Sequence, residues 1–218
     1  MTTEIKQNVL IATLDDGKAN AVGHTLIDQV NAALDESSKS AAAILLVGRP
    51  GVFSAGFDLK EFQKGPDATT ALVNKGATML LRLFQHPQPV VMACTGHAVA
   101  AGALMLLAAD TRLGAEGQFS IGLNETAIGM PLPEFGMQLA AARLSRRHLT
   151  SAVVQSRMFD PQAAVDAGYL DQVEPADALV DTALQTAAQL AELPAEAYAT
   201  NKLGSRAAFI AAIEKSLA

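Results

Sequence analysis

Three short apolar runs in the N-terminal half of the sequence constrain the fold more than any other feature. They are Val9–Leu14, Ala43–Val47 and Val90–Cys94, and turn-forming glycine or proline residues lie close to each of them. Runs of this length and composition are typical of buried strands. Segments with apolar residues at helical spacing separate the runs, and the first such face comprises Leu26, Ile27, Val30, Ala33 and Leu34. This alternation of strand and helix predicts an α/β fold.

The remainder of the chain is divided by glycine and proline residues. Ala71–Phe84 is predicted as a helix, and Gly96 is predicted to break the chain before an apolar helix over Ala101–Ala109. Asp160 and Pro161 are the residue types that begin a helix well, as N-cap and first helical residue. Three C-terminal helices are therefore expected, one from Asp160 to Gly168, one over Asp177–Ala191 and one over Ala195–Leu217. With no linker or repeat, we expect a single domain over 1–218, made of a core over 1–145 and a helical C-terminal region over 146–218.

Composition and charge exclude several classes of protein. A net charge of −6 argues against a nucleic-acid binder, which normally carries a basic patch. The longest apolar run, Ala98–Ala109, is too short to span a bilayer, so no membrane partner is expected. The single cysteine, Cys94, rules out an intramolecular disulfide, and its apolar flanks predict a buried, unreactive thiol. With no leader pattern at Met1, these features favour a cytoplasmic protein.

The familiar cofactor, metal and nucleophile signatures are missing. The sequence contains no dinucleotide or phosphate-binding loop, no C-x-x-C and no G-x-S-x-G. The four histidines lack ligand-like spacing, so no metal site is predicted. His97 is the one histidine to consider further, because it follows the Gly96 turn at a strand end.

Three segments carry the residues that suggest chemistry: Phe53–Leu59 (FSAGFDL), Gly96–Gly102 (GHAVAAG) and Ile121–Gly129 (IGLNETAIG). Small residues in the first two segments leave backbone N–H groups accessible, and the second also begins a helix, where free donors favour negative charge. Two such donors that converge on one oxygen would form an oxyanion hole. The third segment places Glu125 in apolar surroundings, where burial raises the pKa of a carboxyl group.

From the residues alone, simpler interpretations remain open. Gly56 and Gly102 are also compatible with ordinary turn and packing glycines, and Glu125 with a solvated loop residue. Arg146 and Arg147 are compatible with a solvated pair or with a phosphate contact. The residues alone therefore indicate an enzyme-like α/β domain.

Taken in order, the three segments resemble the crotonase (enoyl-CoA hydratase/isomerase) superfamily. Phe53–Leu59 is similar to the family's F-x-A-G-x-D-[IL] loop, and Pro89–Gly96 to its P-V-[IV]-A-A-[VI]-x-G strand. The run from Ala98 to Asp110 resembles the family's glycine-rich helix start. The resemblance extends from Val9 to Val173 and implies the crotonase-type ββα spiral fold with a helical C-terminal part. The resemblance also implies a homotrimer or a dimer of trimers. Because the chain is shorter than is usual in the family, such an assembly would have to form with a reduced C-terminal region.

The resemblance also implies a substrate and the residues that bind it. The substrate would be an acyl-CoA thioester, whose carbonyl oxygen accepts hydrogen bonds from the backbone N–H groups of Phe57 and Ala101. No separate cofactor is implied, since CoA is part of the substrate. The remaining substrate-binding residues expected from the matched motifs are Ala55, Gly56, Asp58, Leu59, Gly102 and Leu104. Lys60, which follows Leu59, is compatible with a phosphate contact, but a solvated lysine is the favoured interpretation.

The acid/base positions favour one reaction within the family. Family hydratases use two glutamates, and the first of these corresponds to Leu104 in this chain. The second corresponds to Glu125, and Ile121–Gly129 resembles the matching segment of monofunctional Δ3,Δ2-enoyl-CoA isomerases. One carboxylate suffices to move a double bond from C3 to C2, because it can remove the C2 proton and return it at C4. We therefore expect an isomerase with Glu125 as the single acid/base.

Two alternatives remain from the sequence. The first is another crotonase-type acyl-CoA enzyme, such as a hydratase, thioesterase or decarboxylase, in which Glu134 would act as a second acid or His97 would contribute. The second is a noncatalytic protein of this fold that binds acyl-CoA, a protein or an RNA; the acidic charge and the retained Glu125 count against it.

Overall fold

The computed structural model describes residues 1–218. The strands are β1 (Thr2–Lys6), β2 (Val9–Thr13), β3 (Ala43–Val47), β4 (Gly51–Ser54), β5 (Val90–Cys94), β6 (Gly96–Val99), β7 (Thr111–Ala115), β8 (Ile121–Gly122) and β9 (Gln172–Glu174). The helices are α1 (His24–Ser40), α2 (Leu59–Phe62), α3 (Pro66–Gln85), α4 (Ala101–Ala108), α5 (Glu134–Arg143), α6 (Arg146–Leu149), α7 (Pro161–Ala167), α8 (Leu179–Ala191) and α9 (Ala195–Leu217). A 3₁₀ turn covers Thr126–Ile128, and a π-helical turn covers Thr150–Val154.

The strands form two sheets that the chain visits in turn. The larger sheet has the order β1-β2-β3-β5-β7-β9, and the smaller has the order β4-β6-β8. Only the β1–β2 pair is antiparallel. Each of β3, β5 and β7 lies in the larger sheet and is followed by a strand of the smaller sheet and then by helix. This repeated strand–strand–helix unit is the predicted ββα spiral, so the fold class is confirmed.

The larger sheet is covered on both faces, which explains its continuous apolar strands. Leu10 and Ala12 of β2 belong to a core of 46 buried residues on the side of α1, α3 and α4. Val9 and Ile11 of the same strand belong to a second core of 12 buried residues, to which α8 contributes. Because successive side chains of a strand point to opposite faces, every position of the strand needs an apolar residue.

Gly96 does not end a strand as the sequence predicts; it begins β6 in the second sheet. A Cβ atom at Gly96 would lie 2.0 Å from the carbonyl carbon of Gly51. Only glycine allows the β4 and β6 backbones to approach this closely. Four residues are too few for periodicity to separate a strand from a turn, which is why the local pattern missed β6.

Two other boundaries differ from the sequence prediction. Helix α3 begins at Pro66 rather than Ala71, because Gly65 has φ +115° and Pro66 takes the first helical position. The C-terminal region, predicted as helical, also contains β9, which pairs in parallel with β7. The Asp160 side chain accepts a hydrogen bond from the Ala163 N–H, and Gly168 ends that helix in the left-handed region, both as predicted.

Helix α4 is buried on all sides, in agreement with its uniformly apolar sequence. All eight of its residues are buried. It packs against α3, α5 and the strands β4 and β6 of the smaller sheet. No helix of the chain combines the length and apolarity needed to cross a membrane.

A buried ion network attaches the C-terminal helix α9 to the rest of the protein. Lys202 Nζ and Arg206 Nη2 lie 2.6 and 2.7 Å from the two carboxylate oxygens of Asp110. Asp110 also accepts a hydrogen bond from the Val90 N–H at 2.7 Å. Burial lowers the pKa of Lys202 to about 8. No local pattern indicated this network, because Lys202 and Arg206 have the spacing of an ordinary solvated helix face.

Candidate active site

The three chemistry-bearing segments meet at a cavity of about 180 Å³. Ten of its 14 lining residues are hydrophobic, and Glu125 is the only carboxylate among them. The lining residues are Ala55, Phe57, Leu59, Phe62, Val73, Ala100, Leu104, Asn124, Glu125, Ile128, Met130, Pro131, Pro133 and Phe135. A larger cavity of about 550 Å³ lies beside α9, but it contains none of the predicted site residues. Three of its four charged side chains, those of Asp110, Lys202 and Arg206, form the buried ion network.

The loop after β4 presents the backbone N–H of Phe57. Val22 donates a hydrogen bond to the Gly56 carbonyl at 2.8 Å and accepts one from the Asp58 N–H at 3.3 Å. In such a parallel bridge the amide of the central residue points away from the partner strand, and Phe57 is that residue. The Phe57 N–H has no acceptor within the protein. Gly56 makes the turn possible with φ +93°.

A second free amide, that of Ala101, lies beside the loop. Ala101 is the first residue of α4, and the first N–H groups of a helix have no acceptor within it. The preceding residue, Ala100, has φ +51° and ψ −120°, and its own N–H donates to the Gly122 carbonyl at 2.9 Å. This strained conformation orients the peptide that carries the Ala101 N–H. A Cβ atom on Gly56 would lie 3.5 Å from the Ala101 nitrogen, so the two free amides are neighbours.

Glu125 precedes the 3₁₀ turn, which holds its backbone in place. Its carbonyl accepts hydrogen bonds from the N–H groups of Ile128 and Met130 at 3.1 and 2.9 Å. Its Oε2 atom is buried and has no hydrogen-bond partner. Desolvation by burial raises the pKa of this carboxyl group, and its own backbone N–H opposes the shift. The result is a carboxyl group that can bind and release a proton within an apolar cavity.

Leu104, which the resemblance matches to the first hydratase glutamate, presents an aliphatic side chain to the cavity. It lies one helical turn after Ala101, is 1% exposed and lines the cavity. Glu134, the sequence candidate for a second acid, is exposed on the first turn of α5, where its carboxylate accepts a hydrogen bond from Gln138. His97 is also outside the cavity, and its Nδ1 atom accepts a hydrogen bond from the Ser120 N–H at 2.9 Å.

The structure divides the expected substrate-binding residues into lining and supporting positions. Ala55 and Leu59 line the cavity, and Leu59 is 63% exposed at its rim. Asp58 instead caps α2, where its side chain accepts a hydrogen bond from the Lys60 N–H at 3.0 Å. Gly102 is a packing residue, since a Cβ atom there would lie 2.4 Å from the Ser54 carbonyl oxygen.

The basic residues and the cysteine lie away from the cavity. The side chains of Lys60, Arg146 and Arg147 are exposed to solvent. Cys94 is buried, as predicted, and desolvation raises the pKa of its thiol to about 12.

Several residues of the cavity were not predicted from the sequence. The apolar wall of the cavity comes from Phe62, Val73 and Phe135 as well as from the loop that follows Glu125. Asn124 also lines the cavity, and its Oδ1 atom is buried without a partner. Its position next to Glu125 was the only available signal. The wall residues are dispersed over four elements, and no local pattern brings them together.

Comparison with known proteins identifies the family. The sequence matches the enoyl-CoA hydratase/isomerase family over residues 4–217. It is 35% identical to the human mitochondrial enoyl-CoA delta isomerase 1 over 176 residues, and 32% identical to a probable enoyl-CoA hydratase of Mycobacterium avium over 199 residues. The first match covers 79% of this chain and 58% of the human protein; the second covers 87% and 75%.

The structure agrees with the sequence match. It superposes on the crystal structure of an enoyl-CoA hydratase/isomerase family protein from Pseudomonas syringae with a TM-score of 0.96 and 39% identity. The superposition covers 99% of this chain and 94% of the other. The chain spans less than two thirds of the human isomerase but nearly all of the bacterial protein. The family match, the spiral of paired strands and the cavity between its loops together identify this chain as a member of the enoyl-CoA hydratase/isomerase family, the crotonase superfamily.

Proposed function

We propose that the protein converts a 3-enoyl-CoA into the conjugated 2-enoyl-CoA, with Glu125 as the single acid/base. The observation that carries this proposal is the acid content of the cavity. Glu125 is its only carboxylate, and the aliphatic Leu104 lines it as well. The family resemblance matches Leu104 to the first of the two hydratase glutamates. The relatives' names are divided between isomerase and hydratase, so the choice rests on these two residues.

The free amides of Phe57 and Ala101 supply the electrostatic part of the mechanism. The thioester carbonyl oxygen accepts a hydrogen bond from each, and both bonds strengthen as negative charge develops on that oxygen. Removing one donor of such an oxyanion hole typically lowers kcat by about 10²–10³-fold. Because both donors belong to the backbone, they are held in place before the substrate arrives.

Glu125 moves the proton. Its carboxylate removes a proton from C2, and the electron pair is delocalised over the dienolate that the two amides stabilise. The neutral carboxyl group then returns the proton to C4, so that the double bond lies between C2 and C3. The reaction needs neither a water molecule nor a second base. A pKa raised by the apolar cavity suits both steps, because an acid/base works best when its pKa lies near the working pH.

Other properties follow from the family only as predictions. CoA arrives as part of the substrate, so no separate cofactor is proposed. A trimeric assembly and a cytoplasmic location stay predictions, and the human relative's name places that protein in mitochondria.

The test is an assay for formation of the conjugated enoyl thioester by absorbance, with the purified protein and a 3-enoyl-CoA. Wild type should produce the conjugated product, and Glu125→Gln should lose about 10²–10⁴-fold in kcat, the usual contribution of a positioned proton-transfer group. Glu134→Gln is the matched control, because that carboxylate is exposed and lies outside the cavity. Hydration of a 2-enoyl-CoA is measured in parallel.

Two results would contradict the mechanism. A wild-type protein that hydrates a 2-enoyl-CoA faster than it isomerises a 3-enoyl-CoA would be a hydratase. An isomerisation rate unchanged by Glu125→Gln, or abolished by Glu134→Gln, would move the acid/base function to another residue.

A further inference from the structure

Gly76 of helix α3 is a glycine whose presence needs a physical reason. It is buried in the interior of the helix, where glycine destabilises relative to alanine. Its φ lies outside the positive range, so the backbone conformation does not require glycine. A Cβ atom at this position would lie 2.5 Å from Cε1 and 2.8 Å from Cζ of Phe57. The Phe57 ring therefore occupies the recess that the missing side chain leaves.

Phe57 contributes separately through its backbone and its ring. Its backbone is fixed by the hydrogen bonds of Val22 to the residues on either side of it. Its ring lines the cavity and lies 6.1 Å from the Phe62 ring, centroid to centroid. Val73, one turn before Gly76 on the same helix, lines the same cavity. The ring thus lies between α3 and the cavity, and the space left for a substrate depends on how far it enters the recess.

The volume of the cavity limits the chain that it can hold. Pockets for drug-sized ligands usually measure roughly 300–1,000 Å³, so a cavity of about 180 Å³ is small. In a cavity this small, the position of the Phe57 ring in its wall decides how long an acyl chain can fit.

We propose that Gly76 sets the depth of the acyl pocket by accommodating the Phe57 ring, and that the pocket therefore accepts short acyl chains in preference to long ones. This inference rests on the proposed function, because it takes the cavity beside Glu125 as the acyl site. Gly76 is a positioning residue; it contacts the ring and does not contact the substrate.

The experiment measures kcat/KM for 3-enoyl-CoA substrates of four, six, eight and ten carbons. Wild type should prefer the four- and six-carbon substrates. Gly76→Ala should push the ring into the cavity, because the end of the side chain can rotate while the backbone is held. The kcat/KM for the six-carbon substrate should then fall roughly tenfold or more relative to that for the four-carbon substrate, as expected for a methylene group that no longer fits.

Substitutions of Phe57 test the same contact from the other side. Phe57→Ala removes the ring and keeps the backbone N–H. It should raise kcat/KM for the eight- and ten-carbon substrates relative to kcat/KM for the four-carbon substrate. In the double variant that combines Gly76→Ala with Phe57→Ala, the effect of the Gly76 substitution should vanish, since no ring remains to be displaced. Gly204→Ala is the matched control, because Gly204 is also in a helix but has nothing within 4 Å of its added Cβ atom.

A second readout keeps this inference separate from the proposed reaction. Calorimetric titration with butyryl-, hexanoyl-, octanoyl- and decanoyl-CoA measures pocket depth without any chemistry. If isomerisation is absent while Gly76→Ala shifts binding towards shorter chains, the proposed reaction fails and the pocket assignment stands. A wild-type preference for ten carbons, or an effect of Gly76→Ala that persists without the Phe57 ring, would overturn the inference. If Gly76→Ala does not fold, Phe57→Ala alone still tests the inference, because it should shift the preference towards longer acyl chains.

Discussion

Leu104 and Glu125 line the same apolar cavity, and no other side chain of that cavity carries a carboxylate. The pairing of an aliphatic residue with one desolvated acid is the feature that separates the proposed isomerisation from hydration. It also makes the consequences of adding a second acid at position 104 predictable.

Leu104→Glu should impair isomerisation and destabilise the protein. A second carboxylate in the cavity would repel that of Glu125 and raise its pKa further, so the fraction of Glu125 able to act as a base at pH 7 would fall. We expect isomerase activity to drop roughly tenfold or more, and unfolding free energy to drop by roughly 3–5 kcal/mol, typical of an uncompensated buried charge. Leu104→Gln is the control of equal size without the charge. Equal rates for the two variants would show that charge is not responsible.

The pH dependence of kcat/KM should report the raised pKa of Glu125. Removal of the C2 proton requires the carboxylate form, so activity should fall as the pH decreases through this pKa, by about tenfold per pH unit below it. Because burial raises the pKa, the fall should begin above the ordinary range of a glutamic acid. Rates measured from pH 4 to 9 test this, with Glu134→Gln expected to keep the wild-type profile. A value of kcat/KM that stays constant until the pH reaches the ordinary pKa range of a glutamic acid would contradict this prediction.

The same shift predicts how Glu125→Gln changes stability with pH. Between the unfolded and the folded pKa of Glu125, the folded protein holds the proton more tightly, so the wild type loses stability as the pH rises through this window. A glutamine side chain does not ionise, so the variant does not lose stability in this way as the pH rises. Glu125→Gln should therefore have a higher unfolding temperature than wild type at pH 8, and the difference should shrink as the pH approaches 4. A difference that is constant across this range would show that the effect is not electrostatic.

Gly56→Ala should reduce both stability and catalysis. Its φ of +93° is unfavourable for alanine, and the new Cβ atom would lie 3.0 Å from both the Ala100 Cβ atom and the Val99 carbonyl oxygen. We expect a loss of about 1–3 kcal/mol in unfolding free energy and, as the two amides separate, a fall in kcat of up to about 10²-fold. Gly17→Ala carries the same backbone strain, at φ +72° with nothing within 4 Å. It should lose stability and retain activity.

Asp110→Asn should destabilise the protein more than any surface charge substitution. It leaves Lys202 and Arg206 buried without their anion, a change that typically costs about 3–5 kcal/mol. Asp35→Asn is the control, since the Asp35–Arg82 pair is exposed and should contribute less than about 1 kcal/mol. Urea unfolding of both variants provides the comparison. Similar midpoints would show that α9 is held mainly by its apolar contacts.

Local sequence signals predicted the elements that local forces decide. Helix Ala195–Leu217 and the strands Ala43–Val47 and Val90–Cys94 have the predicted bounds, because an uninterrupted apolar or helical pattern and a flanking proline or glycine define each of them. The strand at Gly96 was missed for the opposite reason. Its partner, Gly51, is distant in sequence, and nothing in the four-residue segment indicates the pairing.

Some residues of the candidate site were likewise predictable from local sequence, and the roles of others were not. Phe57, Ala101, Leu104 and Glu125 could be named from ordered motifs, because each lies within a short segment whose residue types are characteristic of the family. The roles of Asp58 as a helix cap and of Gly102 as a packing residue became apparent only from the structure, since both depend on which neighbours the fold supplies.

The sequence by itself determined the alternation of strand and helix, the family and the single carboxylate of the site, because periodicity, caps and motifs act over a few residues. The tertiary structure alone decided which residues form the wall of the cavity, that Asp110 holds Lys202 and Arg206, and that Gly76 accommodates the Phe57 ring. These contacts join residues that are far apart along the chain. Their geometry follows from how the two sheets and α3 pack together, and local sequence preferences carry no information about that packing.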